Sequence, residues 1–481
     1  MAKSESKGNG LTRPTRRTSL SASAVATAAV AVPIVAAEPA AATEFDPGNR
    51  PGNPITPQPP DAGLLTLLRE IDTARIEAII RRLVAFGTWH TLSSQTDPVR
   101  GIGAARDWIF DQVQSFAAAS GGRMTVEKQT FTQPVSNRIP VPTPITNVIA
   151  TLRGDVAPDR IYVITGHYDS RVTDVLNFTS DAPGADDDGS GVAVLMELAR
   201  VMATRHTDAT LVFAAVAGEE QGLYGSAYIA AQMKAAGADV QGMFSNDIVG
   251  STADDGTRDP RTLRMFVEGV PTAETPAQTA TRQAVGGEND SVSRQLGRFV
   301  LDVADNGATG MNIRTIYRRD RFLRASDHVS FQQQGYPAGR FTEPHEDFAH
   351  QHQNTRIENG KQFGDLPEFC DFDYIARVAK VNGAMLWSLS QAPGTPKAAT
   401  IVTTNLTNST SLHWAHGPEP DIVGYEVVWR ETTAPQWQFA IPVGDVTSVT
   451  IELSKDNVFF GIRAVDADGH RSPVAFPQPG T

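Results

Sequence analysis

Cysteine is nearly absent from this 481-residue sequence: Cys370 stands alone. No intrachain disulfide can form, so stability must come from other sources, and export is not thereby excluded, since exported proteins often do without disulfides. Basic charge is also scarce. Forty-two Lys and Arg against 54 Asp and Glu give a formal net charge of −12, which argues against nucleic acid as a ligand. Long apolar runs are missing: the stretch Leu20 to Ala37 is dominated by alanine and interrupted by Pro33, so no membrane anchor is expected. No Gly-x-Ser-x-Gly elbow occurs, which sets serine-hydrolase chemistry aside. The segment His345 to His350 fails as a mononuclear zinc-protease helix, because histidines five apart lie roughly 140° apart around a helix instead of on one face.

What is present suits a globular chain of two or three domains, with 40% hydrophobic residues. Residues 1–42 read as an export signal: Lys3, Lys7, Arg13, Arg16 and Arg17 precede the Ala-rich stretch, and the Arg16-Arg17 pair resembles a twin-arginine leader. Residues 43–62, rich in Pro, Gly and Asp, read as an extended linker. Over 63–395, helical spacing through Ile71, Ile76, Ile80 and Leu83 and across Ala104 to Ala118 alternates with strand-like runs at Met124, Asn147, Ile161 and Leu211. The expectation is an α/β domain: a mostly parallel mixed sheet with helices on both faces. Residues 396–481 carry short strands bounded by Pro and Gly turns, and read as a separate all-β sandwich detachable near Pro393-Gly394-Thr395-Pro396.

Chemistry concentrates between Gly166 and Asp247. A β-branched run, Ile161 to Thr165, breaks into Gly166-His167-Tyr168-Asp169; Gly184 to Gly191 encloses Asp186, Asp187 and Asp188; Gly218-Glu219-Glu220 follows the apolar run Leu211 to Ala217. Ligand crevices of open α/β sheets lie at the carboxyl ends of strands, so these groups are expected to converge. Three consecutive carboxylates repel one another, and a bound cation removes the cost of burying them.

These residues resemble the di-zinc exopeptidases, the family of secreted bacterial aminopeptidases, glutamate carboxypeptidases and glutaminyl cyclases. The matching pieces are His167-x-Asp169, the Gly184–Gly191 run, Gly218-Glu219-Glu220 with Gly225-Ser226, Asn246-Asp247, Ser326-Asp327-His328, and His350-x-x-x-Asn354-Thr355. The resemblance implies two Zn²⁺ per chain, bridged by Asp187 and completed by His167 and Asp247 on one side and Glu220 and His350 on the other. His352 is the other imidazole of that last motif. It implies Glu219 as general base, Asp169 as the carboxylate accepting the second ring N–H of His167, and a cis peptide at Asp187-Asp188. The family usually has Asp where this chain has Asn354. For the C-terminal module the resemblance is to fibronectin type III domains, with an immunoglobulin-like relative as the alternative.

Such a site hydrolyses amide bonds with a hydroxide shared by two cations, and a neighbouring carboxylate carries the proton to the leaving amine. The expected substrate is therefore a peptide or protein, and the expected enzyme an exported metallo-exopeptidase. An acidic site favours a cationic N-terminus, hence an aminopeptidase; the alternative is a carboxypeptidase or another amide hydrolase, with Arg324, beside Asp327 and His328, as the residue to hold a substrate carboxylate. A binding module that has lost its metal ligands is the non-enzymatic rival, and the presence of both ligand sets and the base speaks against it.

Overall fold

Alternating strand and helix signals across residues 62–391 become one sheet covered on both sides. The computed structural model describes residues 50–254 and 256–480. The signal read at 1–42 and the start of the linker lie outside the described residues. The sheet has eight strands: β1 (Met124–Gln133), β2 (Thr143–Leu152), β3 (Ala157–His167), β4 (Ala209–Val216), β5 (Asp239–Asn246), β6 (Thr262–Val267), β7 (Asn312–Ile316) and β8 (Ala338–Thr342). Their order is β7-β6-β8-β5-β3-β4-β2-β1. β3 runs parallel to both β4 and β5, β8 parallel to β5, and β7 parallel to β6. The β8–β6 junction and the β4–β2–β1 edge are antiparallel. This is the mostly parallel mixed sheet expected from the alternation.

Successive residues of a strand point to opposite faces, and the two faces bury different partners. Tyr162 and Ile164 of β3 with Leu211, Phe213 and Ala215 of β4 pack under helices Thr73–Val84, Ile102–Ala117, Gly189–Met202 and Phe372–Gln391. Val163 of β3 with Val212, Ala214 and Val216 of β4 pack against Ile229, Ala230 and Phe331 of helices Tyr224–Ala235 and His328–Gln333. Each Val, Leu, Ile or Phe among them stabilises the fold by about 1.5–3 kcal/mol when fully buried. That is why these central strands read as continuous apolar runs. Among the described residues, no helix is long and apolar enough to cross a membrane.

The C-terminal strands form two sheets around one core. Phe439–Gly444, Ile422–Glu431 and Val458–Asp466 lie in one; Ser448–Ile451, Thr410–His413, Thr400–Val402 and Gln478–Gly480 lie in the other. Trp429, Tyr425, Ile462 and Leu412 fill the space between them. The first sheet gains a strand from the segment read as linker: Asn53 and Pro54 pair with Ala440 and Phe439. Trp429 Nε1 donates to Pro51 O at 2.8 Å, and Ile55 N to Gln438 O at 2.9 Å. Proline fits there because an edge strand leaves one side of its backbone unpaired.

The sandwich is joined to the α/β domain by buried ion pairs. Asp290 receives Arg298 Nη1 at 2.7 Å from its own domain and Arg430 Nη2 at 2.6 Å from the sandwich. Arg160 of β3 pairs with Glu419, both buried. Residues 51–481 form one compact unit.

Candidate metal centre

Three adjacent parallel strands deliver the acidic groups to one edge. His167 ends β3 opposite Val216 of β4, and Thr165 lies opposite Ser245 of β5. Hence His167, the Glu219-Glu220 pair just past β4 and Asp247 just past β5 emerge together. The Asp run arrives from the loop ahead of helix Gly189–Met202. Asp188 caps that helix, with Oδ1 accepting from Gly191 N at 3.0 Å and Oδ2 from His167 N at 2.8 Å. Gly191 is required by close approach, since a Cβ there would run into Asn246 O. The Asp187-Asp188 peptide is cis.

Asp187 stands between two imidazoles. Its Oδ1 lies 3.1 Å from His167 Nε2, and its Oδ2 lies 2.7 Å from His352 Nε2. His352 Nε2 is also 2.7 Å from Glu220 Oε1, and Asp247 Oδ1 is 3.9 Å from His167 Nε2. Two donor groups result, His167–Asp188–Asp247 and Asp187–Glu220–His352, each with its ligand atoms within 4.8 Å of one another. Burial alone would raise the Asp187 carboxyl, but the His352 and His167 imidazoles override it and hold it well below the usual range. The groups fit a metal. Glu220 Oε1 and His352 Nε2 are buried, close and yet without a hydrogen-bond partner, as expected of atoms aimed at a common cation. Imidazole nitrogen with carboxylate oxygen, three protein donors to a group, is the donor set of catalytic zinc.

A protein described as "Probable zinc metalloprotease" from Pyrenophora teres f. teres is 54% identical over 436 residues, 90% of each chain. A second of that description, from Leptosphaeria maculans, is 54% identical over 422 residues, 88% of this chain and 98% of its own. The profile of peptidase family M28 matches residues 147–361. This chain belongs to peptidase family M28. It is accordingly a zinc metallopeptidase. Among solved structures, an aminopeptidase from Aneurinibacillus sp. strain AM-1 aligns at 18% identity over 69% of this chain and 96% of that one, with a TM-score of 0.47.

Of the expected ligands, His167, Asp187, Glu220 and Asp247 come together, and His350 does not. His350 Nδ1 lies 2.7 Å from Asp347 Oδ2, its Nε2 lies 3.1 Å from Gln362 O, and its ring stacks on Phe369 with centroids 3.4 Å apart. With both nitrogens facing oxygens of Asp347 and Gln362 and the ring stacked on Phe369, neither nitrogen is turned to the donor groups. The imidazole at the centre is His352, which the backbone reaches through a left-handed conformation, φ 53°. Two histidines two residues apart carried no sign of which would turn inward.

Asp169 also acts differently from expectation. Its main-chain carbonyl, 2.9 Å away, takes the His167 Nδ1–H, while its carboxylate stands 3.7 Å off. That carboxylate is occupied by Glu219 N and Glu220 N, each at 3.1 Å, and by Thr91 Oγ1 at 2.9 Å. It therefore fixes the turn carrying the two glutamates. Burial pushes the Glu219 carboxyl well up, opposed by His167 and reinforced by the charges of Asp247 and Glu220.

The residues expected to meet substrate divide. Asp327 is buried among the site's charges, and burial raises it to about 7. His328 is withdrawn from the site, fully buried with Nε2 2.8 Å from Arg319 O. Arg324 is not free to hold a carboxylate, because its Nη1 pairs with Glu346 Oε2 at 2.8 Å. A cation that sequence reading missed, Arg171, lies 3.8 Å from Glu220 Oε2.

Proposed function

We propose that this M28 peptidase is a di-zinc exopeptidase of the aminopeptidase kind. One observation carries the reading: Asp187 offers one carboxylate oxygen to each donor group, the arrangement a bridging ligand needs. His167 and Asp247 would hold one zinc, Glu220 and His352 the other. Bound zinc supplies Lewis acidity toward the scissile carbonyl and acidifies water. Glu219 accepts the proton of the attacking water and hands it to the departing amine. Asp169 keeps that carboxyl aimed by holding the main chain of Glu219 and Glu220.

The acidic surround supports an N-terminal substrate amine. So does the loss of Arg321 and Arg324 to Glu346, which removes cations a C-terminal carboxylate would need. A carboxypeptidase reading would call on Arg171, whose Nε and Nη2 already bond Val172 O and Thr173 O. The Ala-rich leader supports export, and the strand pattern of 396–481 supports a fibronectin type III-like sandwich.

Elemental analysis of purified protein tests the metal count, with two zinc equivalents expected in the wild type and none in Asp187→Ala. Matched tripeptides test direction. The N-acetylated peptide should resist and the C-amidated peptide should be cut; the reverse pattern would reassign the enzyme and make Arg171 its carboxylate anchor.

A further inference from the structure

Within the basic run Tyr317 to Arg324, where Arg318, Arg319, Phe322 and Leu323 are exposed, Asp320, Arg321 and Arg324 are drawn inward. Glu346 receives Arg264 Nη2 at 2.9 Å, Arg321 Nη1 at 3.0 Å and Arg324 Nη1 at 2.8 Å. Arg321 turns its Nε to Asp320 Oδ1 at 3.2 Å. Asp320 in turn faces Arg340, with both of its oxygens 3.3 Å from Nη1. Arg340 Nη2 then lies 2.9 Å from Asp247 O and 2.9 Å from Asp247 Oδ1. The signs alternate along this ladder: Glu346, Arg321, Asp320, Arg340, Asp247. It begins six residues before His352 and ends on Asp247, so it joins the chain segments that serve the two donor groups.

The inner rungs are dry. The Arg340 side chain is 0% exposed, Asp320 1% and Asp247 4%. A guanidinium costs several kcal/mol to bury and is offset only by close, well-aligned carboxylates. Arg340 has two, one on each side. It projects from β8 at the position paired with Ser245 of β5, two residues before Asp247. There the parallel strand has ended and the next residue, Ile248, takes a left-handed φ of 59°. Asp247 sits just past the end of β5, its N–H bonded to Phe341 O of β8 at 3.3 Å but its carboxylate unplaced by the sheet, and Arg340 grips both its carbonyl and its carboxylate. Nη2 holds both Asp247 atoms while Nη1 reaches Asp320, a two-sided grip that a planar fork makes and a point charge on a flexible stem does not.

We propose that Arg340 is a positioning residue for the metal centre: backed by Asp320, it fixes Asp247 in the orientation that completes the His167-side metal position. The proposal rests on the di-zinc reading above. It differs from a role in charge neutralisation, which would support stability without favouring one metal position over the other.

The test is zinc retention in solutions of buffered free zinc, with thermal unfolding recorded alongside, for wild type, Arg340→Met, Arg340→Lys and Asp247→Asn. Wild type should hold two equivalents. Arg340→Met should hold one tightly and bind the second about 10–100-fold more weakly, the usual consequence of losing a partner that orients a ligand. Arg340→Lys should fail to restore the second equivalent, and Arg340→Met combined with Asp247→Asn should lose no more than Asp247→Asn alone. Unchanged or tighter affinities in Arg340→Met, equal weakening of both positions, or full rescue by Lys would overturn the proposal. If Arg340→Met does not fold, Asp320→Asn carries the test: a weakened second equivalent supports the proposal and wild-type affinities refute it. A wild type that binds fewer than two zinc ions faults the di-zinc reading first, and the proposal falls with it.

Discussion

His352 Nε2 lies 2.7 Å from Asp187 Oδ2, while the ring of His350, two residues earlier, is stacked on Phe369. The two imidazoles should therefore respond oppositely to removal. His352→Ala should lose one zinc equivalent and most turnover. His350→Ala should keep both metals and full turnover, and cost about 0.5–1.5 kcal/mol of stability through the lost ring stack. Zinc content with denaturant unfolding separates the cases, and metal loss in His350→Ala alone would reverse the assignment.

Glu219 and Glu220 share one amide clasp on Asp169 but divide the work. Glu219→Gln preserves shape without a proton acceptor, so kcat should fall on the order of 10²-fold or more with zinc retained. Glu220→Gln should lose zinc instead. Asp169→Asn replaces an acceptor oxygen with an N–H donor facing one of the two backbone amides, and should lower kcat while leaving the metal in place. Parallel metal analysis and steady-state kinetics decide between these patterns.

Glu419 of the sandwich is the partner of buried Arg160 on β3. Glu419→Ala strands that arginine, and should destabilise the chain by about 3–5 kcal/mol. Because the pair spans both domains, the whole chain should still unfold in a single transition, displaced downward. Two separated transitions, with only the smaller one moved, would restore the picture of an independent module. Truncation after Gly394 should likewise give a protein of much lower melting temperature.

His470 joins the sandwich to the start of helix Ala62–Glu70, with Nδ1 donating to Asp466 Oδ2 at 3.0 Å and Nε2 facing Asp61 Oδ2 at 3.5 Å. The Asp466 bond, then the Asp61 bond, raise its pKa from 6.5 to about 10. Burial would raise Asp61, but His470, Leu64 N–H and Trp387 together lower it from 3.8 to about 2. The raised histidine contributes stability that is complete below pH 6.5 and is lost as pH climbs toward 10. The lowered aspartate contributes stability present above pH 3.8 and lost as pH falls toward 2. The gap in melting temperature between wild type and His470→Gln should be widest between those limits and close by about pH 10. A gap independent of pH would refute the clasp.

Much of this was legible before any coordinates. Strand β3, the helix Ile102–Ala117 and the sandwich strands follow from apolar period and turn residues, which act over a few positions. His167, Asp187, Glu220 and Asp247 were legible because each stands at the end of an apolar run or in a glycine-flanked loop, and parallel strands in register must bring such ends together. The other assignments turned on long-range partners. Which of His350 and His352 enters the site depends on Phe369 and Gln362 claiming one ring. Whether the Asp169 carboxylate or its carbonyl meets His167 depends on where the Glu219 amides lie, and whether Arg324 is free depends on Glu346. Local pattern sets which residues point inward along an element; only tertiary packing decides which of several equally suited polar groups is already satisfied, because a hydrogen bond or ion pair needs its partner within about 3 Å, and loop residues have no periodicity to place it.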